Sequence, residues 1–121
     1  MTPSENPPNP IRGEIWQTMF DPAKGAEVRK SRPAVIMSIP AVGHLPLRIV
    51  VPITGWKDHW STIPWLVKMK PTQRNGLTKV SAADAFQAKS LSIKRFQSKL
   101  GELSADEMEQ IAAAVCLCVG A

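Results

Sequence analysis

The sequence predicts a mainly β fold closed by one C-terminal helix, an α+β arrangement curled into a small barrel. Two observations carry this. Short apolar runs, rich in β-branched residues and interrupted by proline, recur between turn residues. The last twenty residues switch to a helical period behind a well-formed helix start.

Residues 1–10 contain four prolines and read as an extended, mobile leader before a single domain over 11–121. Ile11 to Met19 is the first strand candidate, with Ile15, Trp16 and Met19 interleaved with polar residues. Asp21-Pro22 and Gly25 mark a turn. Arg32 to Ser38 is a short apolar run suited to a buried strand, and Leu47 to Thr54 is a third strand. Pro52 lacks a ladder donor, so an edge or a bulge is expected there. Pro64 to Met69 and Leu77 to Val80 are weaker strands around a turn at Asn75-Gly76. Residues 86–91 and 97–100 are short final strands, with a helical turn over 92–95. Ser104 and Glu107 form a capping box, Leu103 and Met108 occupy the staple positions, and the acids that follow suit the positive end of the helix dipole. Met108, Ile111, Ala112, Val115 and Val119 then make one apolar stripe, expected to be core.

The chain has 121 residues and a net charge of +5. All fifteen cations lie between Arg12 and Lys99, against five acids in the same window, a balance of +10. A basic body of this kind favours a polyanionic partner such as nucleic acid, or an acidic protein. The opening MTPSENPPNP has neither a basic start nor an apolar run, and no segment reaches membrane-spanning length, so a soluble cytoplasmic protein is expected. Cys116 and Cys118 lie two apart near the helix end and point to different sides. They suit neither a disulfide nor a zinc site, and read as small packing residues. No His, Cys, Asp and Glu cluster has metal-ligand spacing, and no cofactor is expected.

Arg32-Pro33 ends the cationic stretch of Arg29, Lys30 and Arg32 at the entry to an apolar strand. Proline biases Arg32 toward extended backbone, which launches its rigid guanidinium fork from a strand end. Two readings stay open: a guanidinium held to meet a phosphate, or a strand-end charge paired with Glu27. Thr54 ends the third strand before Gly55 and is either a hydroxyl presented to a ligand or a plain strand-ending turn.

In order and spacing, RGEIW (12–16), FDP (20–22), GAE (25–27), KSRPAVIMS (30–38), VVPIT (50–54), GL (76–77) and LGELSADEMEQI (100–111) resemble the MazF/PemK-like toxins. The resemblance covers residues 11–119. It implies a small SH3-like, CcdB-like barrel with a C-terminal helix, a homodimer, and a toxin of a type II toxin–antitoxin system. It further implies a metal-independent endoribonuclease acting on single-stranded RNA such as mRNA, inhibited by an acidic cognate antitoxin. The family's catalytic arginine, threonine and loop glutamate fall on Arg32, Thr54 and Glu27. Arg29, Lys30 and Gln87 are further RNA-binding candidates.

The segment GWKDHWSTIPW (55–65) interleaves aromatics with cations, as single-stranded RNA binding requires. Trp56, Lys57, His59 and Trp60 are candidates for that contact. The alternative is that Trp56 and Trp65 close the barrel or build a dimer interface. His44, in the loop 40–46, is a weaker candidate. Two departures from the family pattern stand out. Phe86 precedes Gln87 where many members carry an acid; Asp84 lies two residues earlier, on the same face of a regular strand. Ala26 stands where one branch has histidine. A CcdB-like toxin acting on a protein target, or a catalytically impaired RNA-binding relative, are the competing readings.

Overall fold

The computed structural model describes residues 8–40 and 44–121. Among the described residues seven strands are followed by one helix: β1 (Glu14–Met19), β2 (Ser31–Ile36), β3 (Leu47–Gly55), β4 (Leu66–Met69), β5 (Ser81–Asp84), β6 (Lys89–Ser92), β7 (Phe96–Glu102) and α1 (Ala105–Val119). Single 3-10 turns span Asp58–Trp60, Ala85–Gln87 and Ile93–Arg95. Every pairing is antiparallel, in the spatial order β4-β5-β3-β2-β1-β7, and β6 lies against the first half of β3. The register between β1 and β7 shifts twice, at Ile15/Trp16 and Gln17/Thr18. Such bulges bend a strand and increase its twist, which curls the sheet toward a barrel.

The central strands read as continuous apolar runs because both of their faces are buried. Val35, Val51 and Ile53 face a core completed by Met108 and Ile111 of α1, while Ala34, Ile36 and Val50 face a second core with Phe20, Leu91 and Phe96. The capping box on Ser104 and Glu107 is present, and Leu103 and Met108 are both buried beside it. Gly120 ends the helix in the left-handed conformation. The expected stripe fails at its end. Ala114 is buried, whereas Val119 is 72% exposed and Leu117 is 55% exposed. Cys116 is also exposed and Cys118 is half-buried, so Cys116 is not a core packing residue.

Two strands lie elsewhere than the sequence leads one to expect. Leu77–Val80 is not a strand; the pairing residues are Ser81–Asp84. Asn75 explains the shift. It is fully buried, accepts from the N–H groups of Thr72 (2.9 Å) and Leu77 (3.0 Å), and donates to Lys70 O (2.9 Å). The turn it organises delays the strand. Gly76 follows at φ +69°, where a Cβ would meet Leu100 O at 2.0 Å. The strand expected from residue 86 begins at Lys89, because Asp84 caps the 3-10 turn Ala85–Gln87 instead. Asp84 and Phe86 therefore do not share a strand face.

Pro52 is neither at an edge nor in a bulge. Met37 N–H donates to Ile49 O, and alternation along β3 then turns the Pro52 nitrogen to the opposite side. There β3 changes partner, from β6 through Val50 to β5 from Ile53, and no donor is needed. Of the leader, residues 1–7 lie outside the described residues; Asn9 and Pro10 are held by the buried Arg48, whose guanidinium reaches Pro10 O at 2.9 Å and Asn9 Oδ1 at 3.1 Å. Residues 41–43 of the His44 loop also lie outside them. No helix among the described residues is long and apolar enough to cross a membrane.

Candidate active site

The register of β2 on β3 pairs Ile36 with Val50 and Ala34 with Pro52. Continued by two residues, it sets Arg32 opposite Thr54 on one face. Both side chains line the same two adjoining cavities, of about 280 and 220 Å3. Thr54 is half-buried, and its hydroxyl makes a long 3.3 Å bond to Gly55 O. Among the described residues no ion pair takes up the Arg32 guanidinium. The strand-end pair with Glu27 does not form. The Glu27 carboxylate accepts from the Lys24 N–H at 2.6 Å and faces Lys89 Nζ at 3.8 Å. It lines the smaller cavity with Arg32 and Thr54, so the three family positions converge without an Arg32–Glu27 ion pair.

The loop between β1 and β2 sets these groups in place. The Asp21–Pro22 peptide is cis. Lys30 has a left-handed backbone (φ 64°), fixed by its N–H to Asp21 Oδ1 (2.9 Å) and by its carbonyl accepting from Phe20 N–H (2.8 Å). The Lys30 side chain is exposed. Arg29 lines the smaller cavity and donates to Gly25 O at 3.1 Å. Gln87 reaches across from the turn after β5. Its Oε1 accepts from Val28 N–H (2.6 Å), and its Nε2 donates to Ala26 O and to Asp84 Oδ2 (both 3.3 Å). Gln87, an RNA-binding candidate in the sequence, is in this structure a strut under the Glu27 loop.

Lys79 was missed by the sequence reading. It lines the larger cavity beside Arg32 and Thr54, and its Nζ would lie 3.2 Å from a Cβ added at Gly55. Gly55 therefore leaves room for a second cation. No spacing signal marks Lys79, because only the β3–β5 pairing brings it near.

Trp56, Lys57, His59 and Trp60 form a separate cluster just past Gly55. The Trp56 and Trp60 rings meet edge-on at 6.2 Å, His59 meets Trp60 at 5.9 Å, and Lys57 and Lys68 lie over Trp60 and Trp56 at 5.5 and 5.2 Å. None of the four lines the Arg32 cavities. Trp65 is outside this cluster and packs on Phe86. His44 is exposed in the β2–β3 connection, at the opposite end of those strands from Arg32 and Thr54.

A third cavity, of about 640 Å3, shares Glu27 as a wall and is lined by Trp65, Asp84, Phe86, Gln87 and Lys89. Burial pushes the Asp84 carboxyl up, against the lowering effect of the Phe86 and Gln87 hydrogen bonds. Burial and the neighbouring Asp84 also push the Cys118 thiol up. Among the described residues no three His, Cys, Asp or Glu side chains gather to hold a metal ion.

A barrel-like antiparallel sheet with one C-terminal helix, carrying an arginine, a threonine and a glutamate around one cleft, defines a class. The family model described as PemK-like, MazF-like toxin of type II toxin–antitoxin system matches residues 11–119. The chain belongs to this family. Endoribonuclease MazF9 of Mycobacterium tuberculosis is 34% identical over 106 residues, covering 83% of this chain and 87% of that relative. The solved MazF of Deinococcus radiodurans superposes with a TM-score of 0.76 at 25% identity, covering 93% of this chain and 97% of that one. An endoribonuclease in complex with its cognate antitoxin, from a mycobacterial species, superposes at 0.73 with 23% identity over 93% and 96% of the two chains. The family is thus one of toxin endoribonucleases.

Proposed function

We propose that this toxin is a sequence-specific, metal-independent endoribonuclease that cuts single-stranded RNA. The observation that carries the reading is the convergence of Arg32, Thr54 and Lys79 on one cavity, with Glu27 on its adjoining wall. RNA supplies its own nucleophile. The 2′-oxygen bonds to the adjacent phosphorus while the P–O5′ bond breaks, leaving a 2′,3′-cyclic phosphate and a 5′-hydroxyl. The Arg32 fork clamps two non-bridging oxygens and, with Lys79, stabilises the charge that develops on them. The Thr54 hydroxyl orients a phosphate oxygen or the 2′-OH. Glu27 is the carboxylate lining the Arg32–Thr54 cavity and accepts the 2′-OH proton; water protonates the departing 5′-oxygen. This chemistry needs neither metal nor cofactor.

The Trp56, Lys57, His59 and Trp60 cluster holds flanking RNA by stacking and phosphate contact, and Arg29 and Lys30 of the β1–β2 loop add further phosphate contacts. The enzyme works in the cytoplasm as a homodimer of one-domain chains. An acidic antitoxin covers the basic cleft, in keeping with the solved complex of a relative with its antitoxin. The test is the end chemistry of products from mixed-sequence RNA. Cyclic phosphate ends at discrete sites, lost when the attacking nucleotide is 2′-deoxy, are expected. Intact RNA from folded, antitoxin-free protein would overturn the proposal in favour of a toxin acting on a protein target or an inactive RNA binder.

A further inference from the structure

Phe86 stands out among the exposed apolar residues, with 64% of its surface open. Its position is nevertheless fixed. Its N–H donates to Asp84 Oδ1 at 3.2 Å, within a 3-10 turn capped by that same aspartate. Trp65, 37% exposed, meets it at 5.4 Å between ring centroids and 57° between planes. The two rings flank the cavity of about 640 Å3, a size typical of small-ligand sites. Along Glu27 this cavity adjoins the one that holds Arg32 and Thr54. Lys89 stands on its wall and faces Glu27 only loosely, at 3.8 Å.

The guest that fits these features is a flat, apolar-faced group joined to a polyanion that reaches the neighbouring phosphate site. We infer that the Trp65–Phe86 pair holds one nucleobase of the RNA, next to the scissile phosphate, by stacking it on the exposed face of Phe86. The inference rests on the endoribonuclease reading. Gln87 spends its amide on Ala26, Val28 and Asp84, so little of this wall is left to read base edges. Stacking tolerates every base. The pair therefore fixes the register of the strand over Arg32 rather than its sequence, while Lys89 meets the phosphate of the held nucleotide.

The probe is a single-stranded oligonucleotide carrying the mapped cut site, with one 2′-deoxy nucleotide at the attacking position so that it binds uncut. A matched series replaces each base in turn by an abasic site. Binding is measured for the wild type, Phe86→Ala, Phe86→Leu and Phe86→Trp, each checked for fold by circular dichroism. Phe86→Ala and Phe86→Leu are expected to weaken binding about 5- to 150-fold, the range of base–aromatic stacking, and Phe86→Trp to retain it. At one position flanking the cut, the abasic loss seen in wild type should vanish in Phe86→Ala, a non-additive cycle. Losses that add at every position, with Arg32-dependent cleavage intact, would overturn the inference and leave the nuclease reading standing. So would a change in sedimentation mass with RNA affinity unchanged, which would make this face a contact between copies. A wild type that yields no cut site would remove both readings.

Discussion

Gln87 ties the Glu27 loop to the turn after β5, and cutting that tie tests how the cleft is held. Two of its three hydrogen bonds cross to the loop: Val28 N–H at 2.6 Å and Ala26 O at 3.3 Å. At about 1 kcal/mol net per bond, Gln87→Ala loosens the loop by about 2 kcal/mol. If Glu27 must be in place for the reaction, that corresponds to about a 30-fold loss in kcat/KM. The assay is steady-state cleavage of a labelled oligonucleotide bearing the cut site, with hydrogen exchange at the Val28 amide alongside. Exchange at Val28 should accelerate as activity falls, while the cut-site sequence stays the same. Gln87→Asn, one methylene short, should not rescue. Unchanged kcat/KM with Val28 still protected would refute the strut. An altered cut-site preference with Val28 protected would instead support the direct RNA contact expected from the sequence.

Three other outcomes are expected. Asn75→Ala removes the partners of the Thr72 and Leu77 N–H groups and of Lys70 O, and should destabilise the fold by at least about 2 kcal/mol in urea titrations. Burial alone would raise the Glu14 carboxyl, but hydrogen bonds from the Trp16 indole, the Ile11 N–H and Lys99 hold it below its usual value. A depressed folded pKa contributes stability above the unfolded value, and this is lost as pH falls through the folded one. Wild type should therefore lose stability below about pH 4.5, and Glu14→Gln should show a flatter acid limb in thermal melts. Lys79→Ala should lower kcat about 10-fold or more with little change in melting temperature, since it removes one cation from the developing phosphorane charge.

The sequence makes legible what is local. The capping box and staple of α1 depend on residues three to five apart, and they lie where expected. The apolar runs of β2 and β3 are legible because both faces are buried. What fails depends on distant partners. Leu77 to Val80 has strand character, yet the side chain of Asn75 holds that stretch in a turn. Val119 continues the helical stripe but is left exposed at the end of α1. At the site, Arg32 and Thr54 are marked by strand ends that the sequence shows. Lys79 and the strut of Gln87 are set by strand pairing and a loop crossing some sixty residues of chain, and no short spacing reports either.

The central claim is that Arg32, which no ion pair takes up among the described residues and which is held opposite Thr54, does the chemistry without a metal. Its most direct test compares wild type with Arg32→Ala, both folded and free of antitoxin, on a long mixed-sequence RNA in EDTA, with fragment ends mapped. Discrete cuts by the wild type that disappear in Arg32→Ala are the predicted result. Cutting by Arg32→Ala at the wild-type rate, or wild-type cutting that stops in EDTA, would contradict it.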